Sequence, residues 1–293
     1  MFHSSFVTYL QEKFTGFFSS DTIIYKHTPV TGGDINQAFL LETSQGRFLI
    51  KINAAMYGLD MFEKEAKGLL QLADTKSLRV PMPLFDGKYH QELFFVMEYI
   101  EQGPQVNDFW ELFGEGIANL HTNSNAYFGL AYNNFIGSLT QPNNTHETWA
   151  DFYAKERLMP LAHKANKRGV LANEYIEQVE KIGNKLSSIF PDEKPALLHG
   201  DLWSGNFMAD EKGNPVIFDP AVYYGNREMD IAMSLLFGGF DDAFYDAYNA
   251  HYPLQPGWQE RVSLCQLYPL LVHLTLFGGS YYERVVEIIK QYR

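Results

Sequence analysis

The chain has 293 residues, a formal net charge of −12, 46% apolar residues and a single cysteine, Cys265. An acidic chain repels polyphosphate, which argues against broad nucleic-acid binding and obliges any nucleotide site to supply its own lysine, Mg²⁺ or backbone N–H groups. One cysteine excludes an intrachain disulfide framework or a cysteine zinc site, and the absence of a signal-like start or a long apolar run leads us to expect a cytoplasmic protein without a membrane span.

Taken in chain order, residues 3–14 read as a helix. The segments 22–30 ("TIIYKHTPV"), 37–43 ("QAFLLET") and 46–53 ("GRFLIKIN") read as strands, with "TGGDIN" as the turn between the first two. Apolar residues at Phe62, Ala66, Leu69 and Leu70 recur at helical spacing in "MFEKEAKGLLQLAD", 61–74. The proline-punctuated "VPMPLFDG" (80–87) reads as a connection, and "LFFVMEYI" (93–100) as a buried strand that ends at Gly103-Pro104. Helical patterns follow over 108–122, 149–169, 173–190 and 228–238 and on to the C-terminus. The expectation is a small β-rich lobe over 1–100, a hinge near 97–104 and a larger helical lobe over 101–293, with a ligand in the cleft between them.

Several residues stand out against this background. Lys51 lies inside an apolar strand, where an ammonium is costly unless paired. The next helix offers Glu63 and Glu65 as partners, which would leave the lysine able to touch nucleotide phosphates. Gly32 and Gly33 in the 31–36 turn permit close backbone approach to phosphate, although a plain hairpin turn explains the same letters. Met97, Glu98 and Tyr99 sit where an extended hinge would offer backbone groups to an adenine edge.

The densest stretch is "LLHGDLWSGNFMADEKGNPVIFDPAVYYGNREMD", 197–230. Asp201 ends one apolar run, Asn206 follows five residues later, and Asp219 ends a second apolar run. Phosphoryl transfer needs a carboxylate to receive or orient the hydroxyl proton and oxygen ligands for Mg²⁺. Asp201 suits the first task; Asn206 and Asp219 suit the second. A short strand pair between them would return Asp219 to the side of Asn206. His199 is expected to brace the loop through hydrogen bonds, and Asp230 to accept N–H bonds from it. A lysine strand, an acidic helix, a hinge, H-G-D-x-x-x-x-N and then apolar-apolar-D reproduce the protein-kinase parts in the same chain order. This points to an α+β, bilobal, protein-kinase-like fold.

The motifs "HGDLWSGN", "IFDPAVYYGNREMDIAM" and "FVMEY", supported by "GGDIN", "FLIKIN", "MFEKEAKGL" and "NFIGSLTQPN", resemble the fructosamine kinase (ketosamine-3-kinase) family over roughly residues 20–285. The long signature separates that family from its choline-kinase and aminoglycoside-phosphotransferase relatives. The resemblance implies a kinase that uses ATP and Mg²⁺ to phosphorylate the sugar 3-hydroxyl of ketosamines, whose unstable 3-phosphate then frees the amine: deglycation. By match of motif it makes Asp201 the proton acceptor and gives the metal to Asn206 and Asp219. Lys51 takes the phosphates, and Met97, Glu98 and Tyr99 line the adenine hinge. Substrates considered beside ketosamines are aminoglycosides, choline and homoserine. A non-catalytic nucleotide-binding protein is the reading from a different class, and a hydrolase built on His199 and Asp201 would need more clustered metal ligands.

Two departures from protein kinases carry information. Asp219-Pro220-Ala221 stands in place of D-F-G, and Pro220 fixes its own φ, which opposes a flip of this segment. Met229 follows Asp219 by only ten positions, too few for a peptide-docking activation loop, so a small exposed adduct is the better acceptor. Trp203, inside the catalytic loop, offers an indole face to sugar C–H groups or to a cation; bracing the loop from the core is its alternative role.

Overall fold

A computed structural model describes residues 2–30, 36–54 and 60–293. The Gly32–Gly33 turn therefore lies outside the described residues. The N-terminal part is a five-stranded antiparallel sheet in the order β1-β2-β3-β5-β4, built from β1 (Ile24–Val30), β2 (Gln37–Thr43), β3 (Gly46–Ala54), β4 (Pro83–Tyr89) and β5 (Glu92–Glu98). Alternation along β3 divides its side chains between two cores. Phe48, Ile50 and Ile52 face α1 (Ser4–Phe18), whose Phe6, Leu10 and Phe14 recur every four residues and close that side. Lys51 points to the opposite face, towards α2 (Met61–Asp74). On β5, buried at five consecutive positions, Leu93, Phe95 and Met97 join this inner core.

The inner core continues into the helical part. Phe95 and Met97 share it with Phe109, Phe113 and Ile117 of α3 (Phe109–His121) and with Leu197, Leu202, Ile217 and Val222 around the 199–206 loop. Hence the sheet and the loop are held by one apolar cluster. Arg79, just ahead of β4, adds a polar tie. It donates to Glu98 at the end of β5 (2.7 Å) and to Asp210 (2.9 Å) and Glu211 (3.0 Å) beyond it.

Most of the remaining elements form a helical body around a third core. They are β6 (Asn134–Ile136) and β7 (Leu139–Gln141), α4 (Trp149–Phe152), a π-helical turn over Tyr153–Leu158, α5 (Met159–Lys167), α6 (Glu174–Gly183) and α7 (Leu186–Ile189). After the short strands within residues 196–225 come α8 (Glu228–Ser234), α10 (Trp258–Phe277) and α11 (Tyr282–Tyr292). Between α8 and α10, α9 (Asp242–His251) instead adds Phe244 and Tyr248 to the inner core.

Several sequence expectations change here. The "VPMPLFDG" connection contributes most of strand β4. Its prolines fit because β4 is an edge strand, where a missing N–H costs no ladder bond; Pro29 lies in β1, the other edge. The first helix runs four residues further, to Phe18. The 149–169 helix contains the π turn, which brings Glu156 and Arg157 inside together. The 173–190 helix breaks between Gly183 and Leu186, and the 228–238 helix stops at Ser234, before Gly238 and Gly239 with φ of +101° and +76°. The hairpin β6–β7 was not expected from the pattern.

Candidate active site

Two short ribbons hold the segments that carry Asp201, Asn206 and Asp219. Strand β8 (Ala196–Leu198) pairs antiparallel with β11 (Tyr223–Gly225), and β9 (Phe207–Ala209) pairs with β10 (Pro215–Ile217). The loop 199–206 leaves β8 and enters β9, while 218–222 leaves β10 and enters β11, so the two segments run side by side. Their backbones are joined: Phe218 N–H donates to Asn206 O (3.0 Å) and Ala221 N–H to His199 O (2.9 Å). This is the return of Asp219 to Asn206 that the spacing predicts. Close approach explains Gly200, whose φ is +83°; a Cβ there would lie 2.1 Å from Ala221 O. Gly200→Ala should destabilise the protein by about 2 kcal/mol or more, checked by denaturant titration.

Asp230, at the start of α8, organises the loop. Its carboxylate accepts the N–H of His199 (2.7 Å) and of Gly200 (2.9 Å). It also meets His121 Nε2 at 3.2 Å, and His121 Nδ1 lies 2.8 Å from the Tyr248 hydroxyl. His199 is fully buried. Its Nε2 faces Phe218 O at 3.0 Å and its Nδ1 accepts from Asp201 N–H at 3.3 Å, which assigns the proton to Nε2. Burial lowers its pKa, with nearby Asp230 opposing. A neutral, fully bonded imidazole braces the loop, as expected.

Lys51, Asp201, Asn206 and Asp219 come together at the edge of the inner core. Lys51 Nζ donates to Glu65 Oε1 on α2 (2.6 Å) and contacts Asp219 Oδ1. Glu65, not Glu63, is thus the partner: Glu63 accepts from Lys67 one turn along the same helix. Burial works against the Lys51 charge, but Asp219 and Glu65 outweigh it and hold the ammonium pKa above its usual value. Asn206 Nδ2 donates to Asp201 O (2.9 Å) and Oδ2 (3.0 Å). Burial raises the Asp201 pKa to about 7; the Asn206 bond lowers it, while Asp219 and Asp230 add to the rise. The loop thus carries a carboxyl whose affinity for protons matches a general base working near neutrality.

The donor set bears on a metal. Asn206 spends its N–H on Asp201, which turns its carbonyl oxygen away from that bond. Asp219 is half-exposed and drawn to a cation, Lys51. No cluster of three or more His, Cys, Asp or Glu side chains suited to a metal occurs among the described residues. Two oxygen donors fit Mg²⁺, which dehydrates reluctantly and fills its shell with water and phosphate oxygens rather than with a protein cage.

Other expected residues lie nearby with partners of their own. Met97 is buried in the inner core, the Glu98 carboxylate is taken by Arg79 and Met82 N–H, and the Tyr99 ring lies beneath the Arg47 guanidinium at 5.4 Å. Their side chains are committed to the protein, and the Glu98 N–H donates to Met82 O (2.8 Å). Trp203 is half-buried. Its indole lies across Gly205, where a Cβ would sit 2.3 Å from the ring, and meets Phe237 edge-on at 5.7 Å between centroids. Arg79, Asn134 and Gln141 were missed by sequence reading. "NFIGSLTQPN" contained the last two, but nothing local to them indicates a partner some 80 residues away.

The fructosamine kinase family model matches residues 8–293. A probable ketoamine kinase of Synechocystis sp. is 40% identical over 269 residues, covering 92% of this chain and 90% of the relative. A chloroplastic protein-ribulosamine 3-kinase of Oryza sativa subsp. indica is 38% identical over 268 residues, covering 90% and 77%. A crystal structure of a candidate fructosamine-3-kinase from Haemophilus somnus 129PT superposes with a TM-score of 0.88 at 30% identity, covering 97% and 96% of the two chains. The aminoglycoside phosphotransferase APH(4)-Ia shares the fold, with a TM-score of 0.63 at 17% identity. This chain belongs to the fructosamine kinase family.

Proposed function

We propose that the protein is an ATP-dependent kinase of ketosamines, fructose- or ribulose-derived, acting on the sugar 3-hydroxyl. The observation that carries this reading is the convergence, in a fructosamine kinase family member, of two bonded pairs, Lys51 with Asp219 and Asn206 with Asp201, drawn from three separate segments and joined through the Phe218 N–H bond to Asn206 O. Residues 1–100 form the nucleotide-binding lobe in this reading, and 101–293 the catalytic and acceptor lobe.

Asp201 orients the sugar hydroxyl and takes its proton as the oxygen attacks the terminal phosphorus; a new O–P bond forms and the bond to ADP breaks. Lys51, held by Glu65, neutralises phosphate charge. The backbone at Met97, Glu98 and Tyr99 receives the adenine, and Gly32 and Gly33 are assigned to phosphate binding. Asn206 and Asp219 hold Mg²⁺, which when bound offsets charge on the phosphate oxygens. Trp203 packs its indole on the sugar or the amine-bearing chain.

The experiment is incubation with Mg-ATP and a panel of fructose-amines, ribulose-amines, an aminoglycoside, choline and homoserine, with the new phosphate located by mass spectrometry and NMR. Phosphate on the 3-oxygen of a ketosamine is the expected result; transfer only to another class would overturn it. Trp203→Leu should raise the ketosamine KM about tenfold and leave the KM for ATP unchanged. Equal changes in both constants would return Trp203 to a bracing role.

A further inference from the structure

The β6–β7 hairpin supplies none of the catalytic side chains, yet it grips the segment that follows Asp219. Gln141 Nε2 donates to Ala221 O (3.0 Å), and Asn134 Nδ2 donates to Val222 O (2.9 Å). The two amides are also tied together, since Gln141 Nε2 reaches Asn134 Oδ1 at 2.8 Å. Both are buried, and each is fixed from behind. The Tyr268 hydroxyl on α10 donates to Gln141 Oε1 (2.5 Å), Asn143 Nδ2 donates to Asn134 Oδ1 (2.7 Å), and Arg157 Nη2 donates to Asn143 Oδ1 (2.7 Å). Arg157 itself is fully buried with its guanidinium 4.1 Å from the Tyr223 ring centroid and 4.5 Å from that of Phe152. The π turn that carries Arg157 inward is therefore part of the same construction.

What this construction holds is a strained residue. Asp219 has φ of +55°, in the left-handed region that side chains other than glycine enter at a cost. Such a conformation persists when its flanks are over-determined. On the upstream side Phe218 O accepts from His199 Nε2 and Phe218 N–H donates to Asn206 O. Downstream, Ala221 N–H is bound to His199 O, while Ala221 O and Val222 O are bound by the two hairpin amides. Pro220 has no N–H to contribute, so the side-chain amides of Gln141 and Asn134 supply much of the downstream restraint.

We propose that Gln141, with Asn134 beside it, is a positioning residue that keeps the Asp219 segment in the single backbone conformation able to meet the metal of the nucleotide complex. The inference rests on the reading of Asp219 as a metal ligand. A group bonded directly to a metal ligand typically changes metal affinity by about 10–100-fold when removed; Gln141 acts through the backbone two residues beyond Asp219, so the lower end applies.

The test compares wild type, Gln141→Leu and a matched control, Val285→Ala. The control opens a cavity at a fully buried position of α11 and touches neither the hairpin nor the π turn. ADP affinity is measured by calorimetry with and without Mg²⁺, together with thermal midpoints. In Gln141→Leu the gain in ADP affinity on adding Mg²⁺ should shrink about tenfold, with metal-free ADP affinity unchanged. In Val285→Ala the gain should persist despite a lowered midpoint. Should Gln141→Leu fail to fold, Asn134→Asp carries the same expectation. It keeps the oxygen that accepts from Gln141 and Asn143 and gives up the donor to Val222. A full Mg²⁺ gain in the hairpin variant, or an equal loss in the control, overturns the positioning role alone. Absence of any Mg²⁺ gain in wild type overturns the metal reading of Asp219 and this inference with it.

Discussion

Asp201→Asn is expected to lower kcat by about three orders of magnitude while ADP binding, measured by calorimetry, is retained. The amide keeps the shape of the carboxyl and can still accept from Asn206, but it cannot take the proton of a sugar hydroxyl. Near-normal turnover in this variant would remove Asp201 from the mechanism. A second readout follows from its raised pKa. An unfolded chain releases this proton near 3.8, whereas the folded protein keeps it up to about 7. Across that window the folded state holds a proton that the unfolded state has lost, so the contribution of Asp201 to stability falls as pH rises. Asn carries no such cost. Above pH 7 the ligand-free variant should therefore be more stable than wild type, by roughly 2–4 kcal/mol, and near pH 4 the two should match. Denaturant midpoints that stay parallel across this range would show that the Asp201 carboxyl is not held in the environment described. A group that weakens the fold where it is most active has the signature of a functional site rather than a structural one.

Lys51→Met should have two separable consequences. The first is chemical: if Lys51 neutralises phosphate charge as proposed, its loss lowers kcat with Mg-ATP on the order of a hundredfold or more. The second is structural. Glu65 lies buried against Lys51, and removing one partner strands the other charge at a cost of about 3–5 kcal/mol. The double variant Lys51→Met/Glu65→Leu removes both charges and should recover most of that stability in thermal denaturation, without recovering turnover. Recovery of both would mean that Lys51 acts only through the fold. A stable single variant would mean that Glu65 is satisfied without Lys51 and that the pair does not hold the lysine in place.

The partition between these two effects bears on how the site was legible. Lys51 stands out in a string of apolar residues because an unpaired ammonium there has no local explanation, and the order of H-G-D, Asn206 and Asp219 states a chemistry before any coordinates exist. Both signals are local: a charge against its background and donor types at fixed spacing. The period-two alternation of the strands and the i, i+4 apolar stripes of the helices are local too, which is why the β-rich start and the helical remainder could be read along the chain. The one strand misread as a connection, β4, was hidden by prolines, whose tolerance depends on being at a sheet edge. Edge position belongs to the assembled sheet and is invisible in the segment itself.

By itself, then, the sequence determined the class of fold, the family and the residue types available for phosphoryl transfer. Only the tertiary structure decided that Glu65 rather than Glu63 faces Lys51, that Arg79 ties the hinge to residues 210–211, and that the hairpin amides of Asn134 and Gln141 hold the strand of chain beyond Asp219. Those partners lie from 14 to more than 130 residues apart. Periodicity tells which face of an element is buried, but a buried polar side chain takes its partner from whatever donor or acceptor the completed packing brings within about 3 Å, and that is a property of the folded core as a whole.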